Sequence, residues 1–308
     1  MKGSLFSCCF VFLALTCNAQ DINLVKYKSE IFNTVRIHKN ISYAQTVHLG
    51  IKDRYYLLDI DEPEQDTTTK RPLIIWLHGG GFRFGSKKAK GIQLWSETFA
   101  KRGYVCAPLN YRLSKKNPLF NFTEFKRACY DAVQDVAEAV TFFKKNHALY
   151  RIDTNRIILA GNSAGAMIAL QSVYSSQAEL AALAQLPFSD QLPKIHNPSG
   201  IAAVINFWGG LFKIEWLQNA RVPVFSAYGN NDKIVPPAYK DTSLYGSIPI
   251  HENADRLHIP NAIKEYKGYS HELQKHFNPV FAPSHKTKER WMDAGQAAAN
   301  FLYTNLFQ

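Results

Sequence analysis

One serine, Ser163, stands at the centre of a pentapeptide, GNSAG, at 161–165. The pentapeptide follows an apolar run at 156–160 that predicts a strand and precedes a pattern at 164–175 that predicts a helix. A serine on a sharp strand-to-helix turn needs small residues two positions before and after it, because larger side chains would collide with neighbouring backbone. Its hydroxyl then projects above a helix N-terminus, which favours developing negative charge. This pattern predicts a nucleophile, and a serine that caps the helix is the alternative.

Three consecutive glycines lie in the segment HGGGF at 78–82, at the end of another predicted strand. Glycines free the backbone to turn its N–H groups toward a common point, as a tetrahedral oxyanion requires. We expect the amides of Gly80 and Gly81, together with that of Ala164, to form an oxyanion hole, and His78 to brace the loop. A phosphate cradle is the competing interpretation, but neither a Lys-Ser/Thr pair nor an acid at the end of the next strand supports it.

The elements that must position these residues alternate between short apolar runs and longer helical patterns. The predicted strands are 40–46, 55–61, 73–78, 104–109, 156–160, 201–207, 222–228 and 262–266. The predicted helices are 93–101, 123–146, 164–175, 177–185 and 286–306, with a shorter one near 213–219. Several strands are apolar on both faces, which predicts an α/β fold with a mostly parallel sheet covered by helices on both sides.

Three segments together resemble a known family: HGGGF at 78–82, NYRL at 110–113 and GNSAG at 161–165. They are similar to the α/β-hydrolase fold, specifically to the secreted carboxylesterases that include bifunctional feruloyl and acetylxylan esterases. The resemblance covers nearly the whole chain, from about Asn40 to the last predicted helix. It implies an eight-stranded α/β-hydrolase sheet, a serine esterase activity, and a serine, acid, histidine order along the chain. Its motifs are specific for the fold and the hydrolytic class and weaker for the substrate.

An aspartate and a histidine occupy later positions that suit the remaining two roles. Asp232 follows the predicted strand 222–228, where a carboxylate fixed by the scaffold can orient an imidazole. His271 follows the next predicted strand and a turn glycine, and a histidine can move a proton near neutral pH. We therefore predict Ser163, Asp232 and His271 as nucleophile, orienting acid and base, in the order that the resemblance implies. The polar turn also suits Asp232 as a turn former, and Asp255 is the reserve acid.

Other histidines and aromatic residues near these positions are first interpreted as packing or surface residues. The nearest histidines are His251, His258 and His276. Candidates for the rim of a substrate cleft are Phe82, Trp208, residues 120–122 and, in the long segment 236–261, Tyr239, Tyr245, Pro249, His251 and Pro260. Long loops at the active edge of a sheet are natural substrate contacts, although aromatic side chains are more often packed in a core.

The first twenty residues have the pattern of an export signal. A lysine precedes an apolar run at 5–15, too short to span ~30 Å of hydrocarbon, and small residues lead to an expected cleavage after Ala19. We predict that 1–19 is a signal peptide, that 20–308 is a single α/β-hydrolase domain, and that the protein is secreted or periplasmic. Lipid attachment at Cys17 is the second interpretation. No other stretch is apolar enough to predict a membrane span.

Composition and charge exclude several classes of protein. The 308 residues are 46% hydrophobic and 20% charged, which is the balance of a globular protein. The net charge of +11 comes from scattered basic pairs without a nucleic-acid motif, so no nucleic-acid partner is expected. Beyond the signal only Cys106 and Cys129 remain, which predicts buried free thiols, with a single disulfide as the alternative. No metal or cofactor motif is present, and we expect no cofactor.

These features predict a secreted serine hydrolase of carboxylic esters. The expected substrates are small-molecule or carbohydrate esters with short acyl or hydroxycinnamoyl groups, bound in an open cleft. A serine peptidase of the prolyl-oligopeptidase type is one alternative, although a chain of 308 residues has no room for its additional large domain. A non-catalytic binding protein on a hydrolase fold is the other. The sequence contains no signal for the oligomeric state.

Overall fold

The computed structural model describes residues 25–44, 52–186, 200–240, 243–280 and 282–308. Ten strands lie in this part of the chain, and two of them form a short hairpin. The strands are β1 (Val35–Ser42), β2 (Leu57–Pro63), β3 (Arg71–Leu77), β4 (Val105–Leu109), β5 (Ile152–Asn162), β6 (Ile201–Phe207), β7 (Val224–Gly229), β8 (Tyr239–Lys240), β9 (Leu244–Tyr245) and β10 (Asn261–Tyr266).

Eight of these strands form one mixed sheet, in the order β1-β2-β4-β3-β5-β6-β7-β10. Strand β2 runs antiparallel to its neighbours β1 and β4, and the remaining neighbours are parallel. Strands β8 and β9 form the separate antiparallel hairpin. The mostly parallel eight-stranded α/β sheet predicted from the sequence is confirmed, with its antiparallel strand at one side.

Six helices of the described chain cover the two faces of the sheet. They are α1 (Lys90–Ala100), α2 (Phe122–Lys145), α3 (Ala164–Tyr174), α4 (Gln177–Leu183), α5 (Ser247–Arg256) and α6 (His285–Leu306). Successive side chains of β3 point to opposite faces of the sheet. Ile75 packs with α2 and α3, whereas Trp76 packs with α1 and α6. Parallel strands covered on both sides are near-continuous apolar runs, and β3 is apolar and buried from Pro72 to Leu77.

The two cysteines lie in different cores. Cys106 on β4 belongs to the core under α1 and α6, and Cys129 on α2 belongs to the core on the opposite face. Both are buried free thiols, so the prediction of free thiols is correct and the disulfide alternative is wrong. Burial raises the pKa of both thiols, which keeps them protonated.

The predicted elements differ from the observed ones mainly at their ends. All eight predicted strands overlap strands of the sheet, but the first spans Val35–Ser42 instead of 40–46. The side chain of Asn121 caps α2 by accepting a hydrogen bond from the amide of Glu124 at 3.0 Å. The predicted signal peptide and Cys17 lie outside the described residues. Among the described helices, none has the length and apolar character of a membrane span.

The segment 236–261, expected to be a loop, contains the hairpin β8–β9 and helix α5. Pro249 falls in the first turn of α5, where a missing N–H costs nothing because that turn has no intrahelical acceptor. The backbone of Tyr245 pairs with Leu211, shortly after the end of β6. This extended segment is therefore folded onto the carboxyl edge of the sheet.

Candidate active site

Ser163 occupies a sharp turn between β5 and α3. Its φ of +52° and ψ of −121° lie outside the regions that a non-glycine residue ordinarily adopts. A Cβ at Gly165 would overlap the carbonyl oxygen of Leu77, and one at Gly161 would overlap the backbone of Gly165, so both positions need glycine. The hydroxyl of Ser163 makes no helix-capping hydrogen bond, which sets aside the alternative of a capping serine.

The hydroxyl of Ser163 instead lies against an imidazole. Its Oγ is 2.8 Å from Nε2 of His271, and Nδ1 of His271 is 2.7 Å from Oδ2 of Asp232. The second carboxylate oxygen of Asp232 accepts hydrogen bonds from the amides of Ile234 at 2.8 Å and Val235 at 3.0 Å. Both His271 and Asp232 are buried. In this arrangement Nδ1–H donates to the carboxylate, which leaves Nε2 free to accept the serine proton.

The reserve residues lie elsewhere. Asp255 is on α5, where its carboxylate accepts a hydrogen bond from Nδ2 of Asn261 at 2.7 Å. His251 is buried on the same helix, and its Nδ1 is 2.7 Å from Oδ1 of Asn261. His258 follows α5, and His276 is exposed. The structure thus brings together Ser163, Asp232 and His271 and leaves the other candidates apart from them.

The glycine loop after β3 turns beside Ser163. Gly80 and Gly81 have φ of +116° and +58°, and the carbonyl oxygen of Gly80 accepts hydrogen bonds from the amides of Arg83 and Phe84. A Cβ at Gly79 would lie 3.2 Å from Cβ of Ser163, so the loop passes directly over the serine. Within the described part of the chain, no hydrogen bond uses the amides of Gly80, Gly81 or Ala164.

These unused amides have the chemistry of an oxyanion hole. They are N–H groups on the glycine loop and at the first position of α3, whose N-terminus carries partial positive charge. A negatively charged oxygen formed on a carbon bonded to Ser163 Oγ would be stabilised by such donors.

His78 is a buried brace for this loop, as the sequence analysis expects. Its Nδ1 is 2.7 Å from the carbonyl oxygen of Gly79, and its ring stacks on Tyr111 with centroids 4.2 Å apart. The hydroxyl of Tyr111 donates a hydrogen bond to the carbonyl oxygen of His78 at 2.6 Å. Burial lowers the pKa of His78 to about 4, so the ring is neutral at ordinary pH and Nδ1–H can donate to Gly79.

Four of the aromatic rim candidates, those outside the segment 236–261, divide into two groups. Phe82 and Trp208 are fully buried, so the interpretation of these two as rim residues is wrong. Phe120 and Phe122 are exposed, as is Leu119, which the sequence analysis did not select. Leu119 packs directly on Gly81, because a Cβ there would overlap its Cδ2.

Sequence reasoning also missed two polar contacts that support the site. Asn162 accepts a hydrogen bond from Gly79, and Tyr111 holds His78. Asn162 belongs to the segment GNSAG and Tyr111 to the segment NYRL. Their place in these segments was therefore the one sequence signal of a role at the site. In the described residues no group of three or more His, Cys, Asp or Glu side chains could hold a metal ion.

The strand order and the turn bearing Ser163 define this chain as an α/β-hydrolase fold. Solved structures share that fold. Thermogutta terrifontis esterase 2 phosphorylated by paraoxon matches with a TM-score of 0.61 and 18% identity, over 90% of this chain and 96% of that one. The deep-sea metagenome α/β hydrolase MGS-M1 matches with a TM-score of 0.58 and 19% identity, over 90% and 100% of the two chains.

The chain belongs to the BD-FAE family, whose model matches residues 58–211, half of the sequence. Two similar proteins are gut esterase 1 of Caenorhabditis elegans, 31% identical over 109 residues, and arylacetamide deacetylase of Bos taurus, 26% identical over 247 residues. The matched segments cover 35% and 70% of this chain. They span only 19% and 58% of the length of those relatives.

Proposed function

We propose that this protein is a serine hydrolase of carboxylic esters and that Ser163 is its nucleophile. The proposal rests on the hydrogen-bonded series from Ser163 Oγ to His271 and Asp232, at 2.8 and 2.7 Å. Membership of the BD-FAE family and similarity to proteins named esterase and deacetylase support the same reaction class. A binding protein would have no use for a buried imidazole joined to a serine hydroxyl on a strained turn.

The reaction begins when His271 Nε2 takes the proton of Ser163 as Oγ attacks the ester carbonyl carbon. The carbonyl oxygen gains negative charge and accepts hydrogen bonds from the amides of Gly80, Gly81 and Ala164. Asp232 remains ionised and stabilises the imidazolium. Nε2–H then protonates the leaving alcohol oxygen, the carbon–oxygen bond breaks, and an acyl-enzyme remains.

Water completes the cycle by the same steps. His271 removes a proton from a water molecule, whose oxygen attacks the acyl carbon, and the same amides stabilise the second oxyanion. Collapse of this intermediate returns the proton to Ser163 Oγ and releases the carboxylic acid. Every proton in the scheme passes through Nε2, and both oxyanions are stabilised by amides of the chain itself.

We further propose that the enzyme is exported. Residues 1–19 combine a basic start, a short apolar run and small residues before Ala19. Outside the cytoplasm, esters of polysaccharides and scavenged small molecules are available to such an enzyme.

The acyl group is proposed to lie against apolar side chains next to the glycine loop. Leu119 is half-exposed on Gly81, and Phe122 is 43% exposed. The ring of Phe122 is supported by Phe125 and Phe212, with centroids 5.9 and 6.1 Å away. A short acyl chain or the planar ring of a hydroxycinnamoyl group fits such a wall.

The alcohol is proposed to be a sugar, carried on plant-type carbohydrate. The rings of Tyr239 and Tyr245 stack at 5.5 Å, and Tyr239 is 53% exposed. The backbone of Tyr245 pairs with that of Leu211, which follows β6. At the end of β6, the carbonyl oxygen of Phe207 accepts a hydrogen bond from the amide of Ser163. The tyrosine pair therefore belongs to the same edge of the sheet as the nucleophile and offers an aromatic face to a sugar ring.

Labelling with a fluorophosphonate tests the reaction class. The native enzyme should be labelled at Ser163, and Ser163→Ala should lose both labelling and turnover of a short aryl ester by several orders of magnitude. Ser172→Ala is the matched control, because the buried hydroxyl of Ser172 makes no hydrogen bond in the described chain. Retained activity in Ser163→Ala would refute the nucleophile assignment.

A competition experiment tests the substrate class. Acetylated and feruloylated xylan fragments are offered together with a long-chain triglyceride emulsion, with and without a chelator. We expect faster release of acetate or ferulate than of fatty acid, and the same rates after chelation. Faster release of fatty acid, or loss of activity on chelation, would overturn the substrate proposal while leaving the assignment of Ser163 intact.

A further inference from the structure

The loop that carries His271 has a strained backbone. The next two residues, Glu272 and Leu273, have φ of +55° and +56°, although neither is glycine. A residue with a Cβ adopts this left-handed region at an energetic cost, so two in succession persist only where surrounding structure holds them. The imidazole of His271 is attached directly before this pair, and its position depends on their conformation.

The hydrogen bonds inside the loop shape the turn but do not locate it. The amide of Ser270 donates to the carbonyl oxygen of Gln274 at 2.7 Å, and the amide of Leu273 donates to that of Ser270 at 3.1 Å. These bonds join the turn to itself. Something outside the turn must fix its position relative to Ser163.

Two adjacent side chains of α6 supply that contact. Nε1 of Trp291 donates a hydrogen bond to the carbonyl oxygen of Glu272 at 2.7 Å, and Nε of Arg290 donates one to the carbonyl oxygen of Leu273, also at 2.7 Å. The guanidinium of Arg290 also lies 4.0 Å from the ring centroid of Tyr269, two residues before His271. In the described chain, these are the hydrogen bonds that join the backbone of 271–274 to another element.

The same two residues are themselves fixed to the body of the protein. The carbonyl oxygen of Trp291 accepts a hydrogen bond from Nε1 of Trp95 on α1 at 2.9 Å. The hydroxyl of Tyr266, at the end of β10, donates its proton to Oδ2 of Asp293 on the same helix at 2.7 Å and lies 3.3 Å from the carbonyl oxygen of Arg290. Arg290 and Trp291 thus connect the backbone carbonyls of Leu273 and Glu272 to helix α6, which is packed on the body of the protein.

We propose that Arg290 and Trp291 are positioning residues that hold the loop of His271 so that Nε2 stays within reach of Ser163 Oγ. This inference rests on the proposed esterase function. Each residue touches the backbone after His271 and neither touches the reacting atoms, so their effect on the reaction is exerted through the imidazole. Their removal should lower the rate of acyl transfer more than it changes substrate binding, because misplacement of a catalytic group acts mainly on the transition state.

Conservative variants separate this role from general stability. Trp291→Phe keeps an aromatic ring in the core but removes the Nε1 donor, and Arg290→Lys keeps the charge but removes the Nε donor. The matched controls are Trp216→Phe, a buried tryptophan in the other core, and Arg221→Lys, whose guanidinium donates to the carbonyl oxygen of Leu257 at 2.8 Å, away from the histidine loop.

Three measurements are made on each variant: kcat and KM for a short aryl ester, the melting temperature, and the low-field proton resonance of His271 Nδ1–H. We expect kcat to fall ~10- to 100-fold in Trp291→Phe and in Arg290→Lys, with KM within about twofold and the low-field resonance broadened or lost. Both controls should keep kcat and the resonance. Unchanged kcat and an unchanged resonance in the two α6 variants, with only a lower melting temperature, would overturn the proposal.

The resonance also separates this proposal from the proposed function. If the native enzyme hydrolyses no ester and is not labelled at Ser163, the proposed function fails, yet the Nδ1 proton of His271 still reports whether α6 positions the imidazole. If Trp291→Phe fails to fold, Arg290→Lys decides, since a partly exposed arginine replaced by lysine leaves the core intact.

Discussion

Oδ1 of Asn162 lies 3.1 Å from the amide nitrogen of Gly79 and accepts its hydrogen bond. The residue before Ser163 therefore holds the first glycine of the loop that follows β3. Because Asn162 belongs to β5 and Gly79 follows β3, the bond joins two neighbouring parallel strands at their carboxyl ends. We expect the position of the Gly80 and Gly81 amides relative to Ser163 to depend on this contact.

Asn162→Ala should lower kcat about tenfold, because the glycine loop loses its fixed distance from Ser163. The loss of one buried hydrogen bond should also cost about 1 kcal/mol of unfolding free energy. Steady-state kinetics and thermal unfolding measure the two effects. Asn155→Ala, at an exposed position of the same strand, is the control and should change neither. An unaltered kcat in Asn162→Ala would mean that the loop is positioned without this bond.

Asp232→Asn should preserve the fold and lower kcat by about 10⁴, the scale seen when a triad imidazole loses its orienting carboxylate. The asparagine amide can donate to Nδ1, which would put the imidazole proton on Nε2 and block acceptance of the serine proton. Asp255→Asn is the comparison, since that carboxylate is on α5 and pairs with Asn261. Turnover that survives in Asp232→Asn but disappears in Asp255→Asn would transfer the orienting role to Asp255.

The sequence predicts the parts of this site that depend on local pattern. The small residues around Ser163 and the three glycines after β3 are needed by the turns themselves, so their spacing is visible without a structure. The eight predicted strands overlap the eight strands of the sheet for the same reason, because an apolar run between turn residues is a local signal. The positions of Asp232 and His271 follow from chain order once the strands are assigned.

Contacts between distant segments are not visible in the same way. Leu119 reaches Gly81 from a loop 38 positions later, and Trp291 reaches Glu272 from a helix whose apolar face already explains a tryptophan. Helix α5 was missed because proline and several polar residues make its sequence look like a loop, and packing of Ile250 and Ala254 in the core stabilises it. Tertiary packing outweighs weak local propensity at such positions.

Asp61, a buried acid on β2, is expected to give the protein a pH-dependent stability. Asp61 on β2 is 3% exposed, accepts a hydrogen bond from the hydroxyl of Ser96, and borders a cavity of about 310 Å³ beside α1. Burial raises its pKa to about 6, with nearby Asp59 and Glu97 acting in the same direction. The folded state therefore favours the protonated acid relative to the unfolded chain, whose aspartates titrate near ~3.9.

The stabilising preference for the protonated form is fully present below pH ~4 and is lost as the pH rises through about 6. Asp61→Asn cannot ionise, so its unfolding free energy relative to the native protein should rise by about 3 kcal/mol between pH 4 and pH 8. Denaturant unfolding at a series of pH values measures this difference. Asp53→Asn changes an exposed position and is the control. Its curve of unfolding free energy against pH should run parallel to that of the native protein. Parallel curves for Asp61→Asn as well would refute the prediction.

Gly80 and Gly81 should respond differently to alanine because different atoms occupy the space around them. A Cβ at Gly80 would overlap the carbonyl oxygen of Phe84 in the same turn, whereas a Cβ at Gly81 would overlap only the half-exposed side chain of Leu119. We expect both single alanine variants to lower kcat for a small acetate ester by up to about 10² to 10³, because the added Cβ displaces a backbone N–H that is proposed to bind the oxyanion. Adding Leu119→Ala should raise the kcat of Gly81→Ala at least ~tenfold and leave the kcat of Gly80→Ala unchanged, because trimming Leu119 removes the overlap at Gly81 and not the overlap with the backbone of Phe84 at Gly80. Leu119→Ala alone is the control for the missing side chain, and kinetics of the five variants complete both double-mutant cycles. Equal rescue of the two glycine variants, or no rescue of Gly81→Ala, would show that Leu119 does not determine the conformation of the glycine loop.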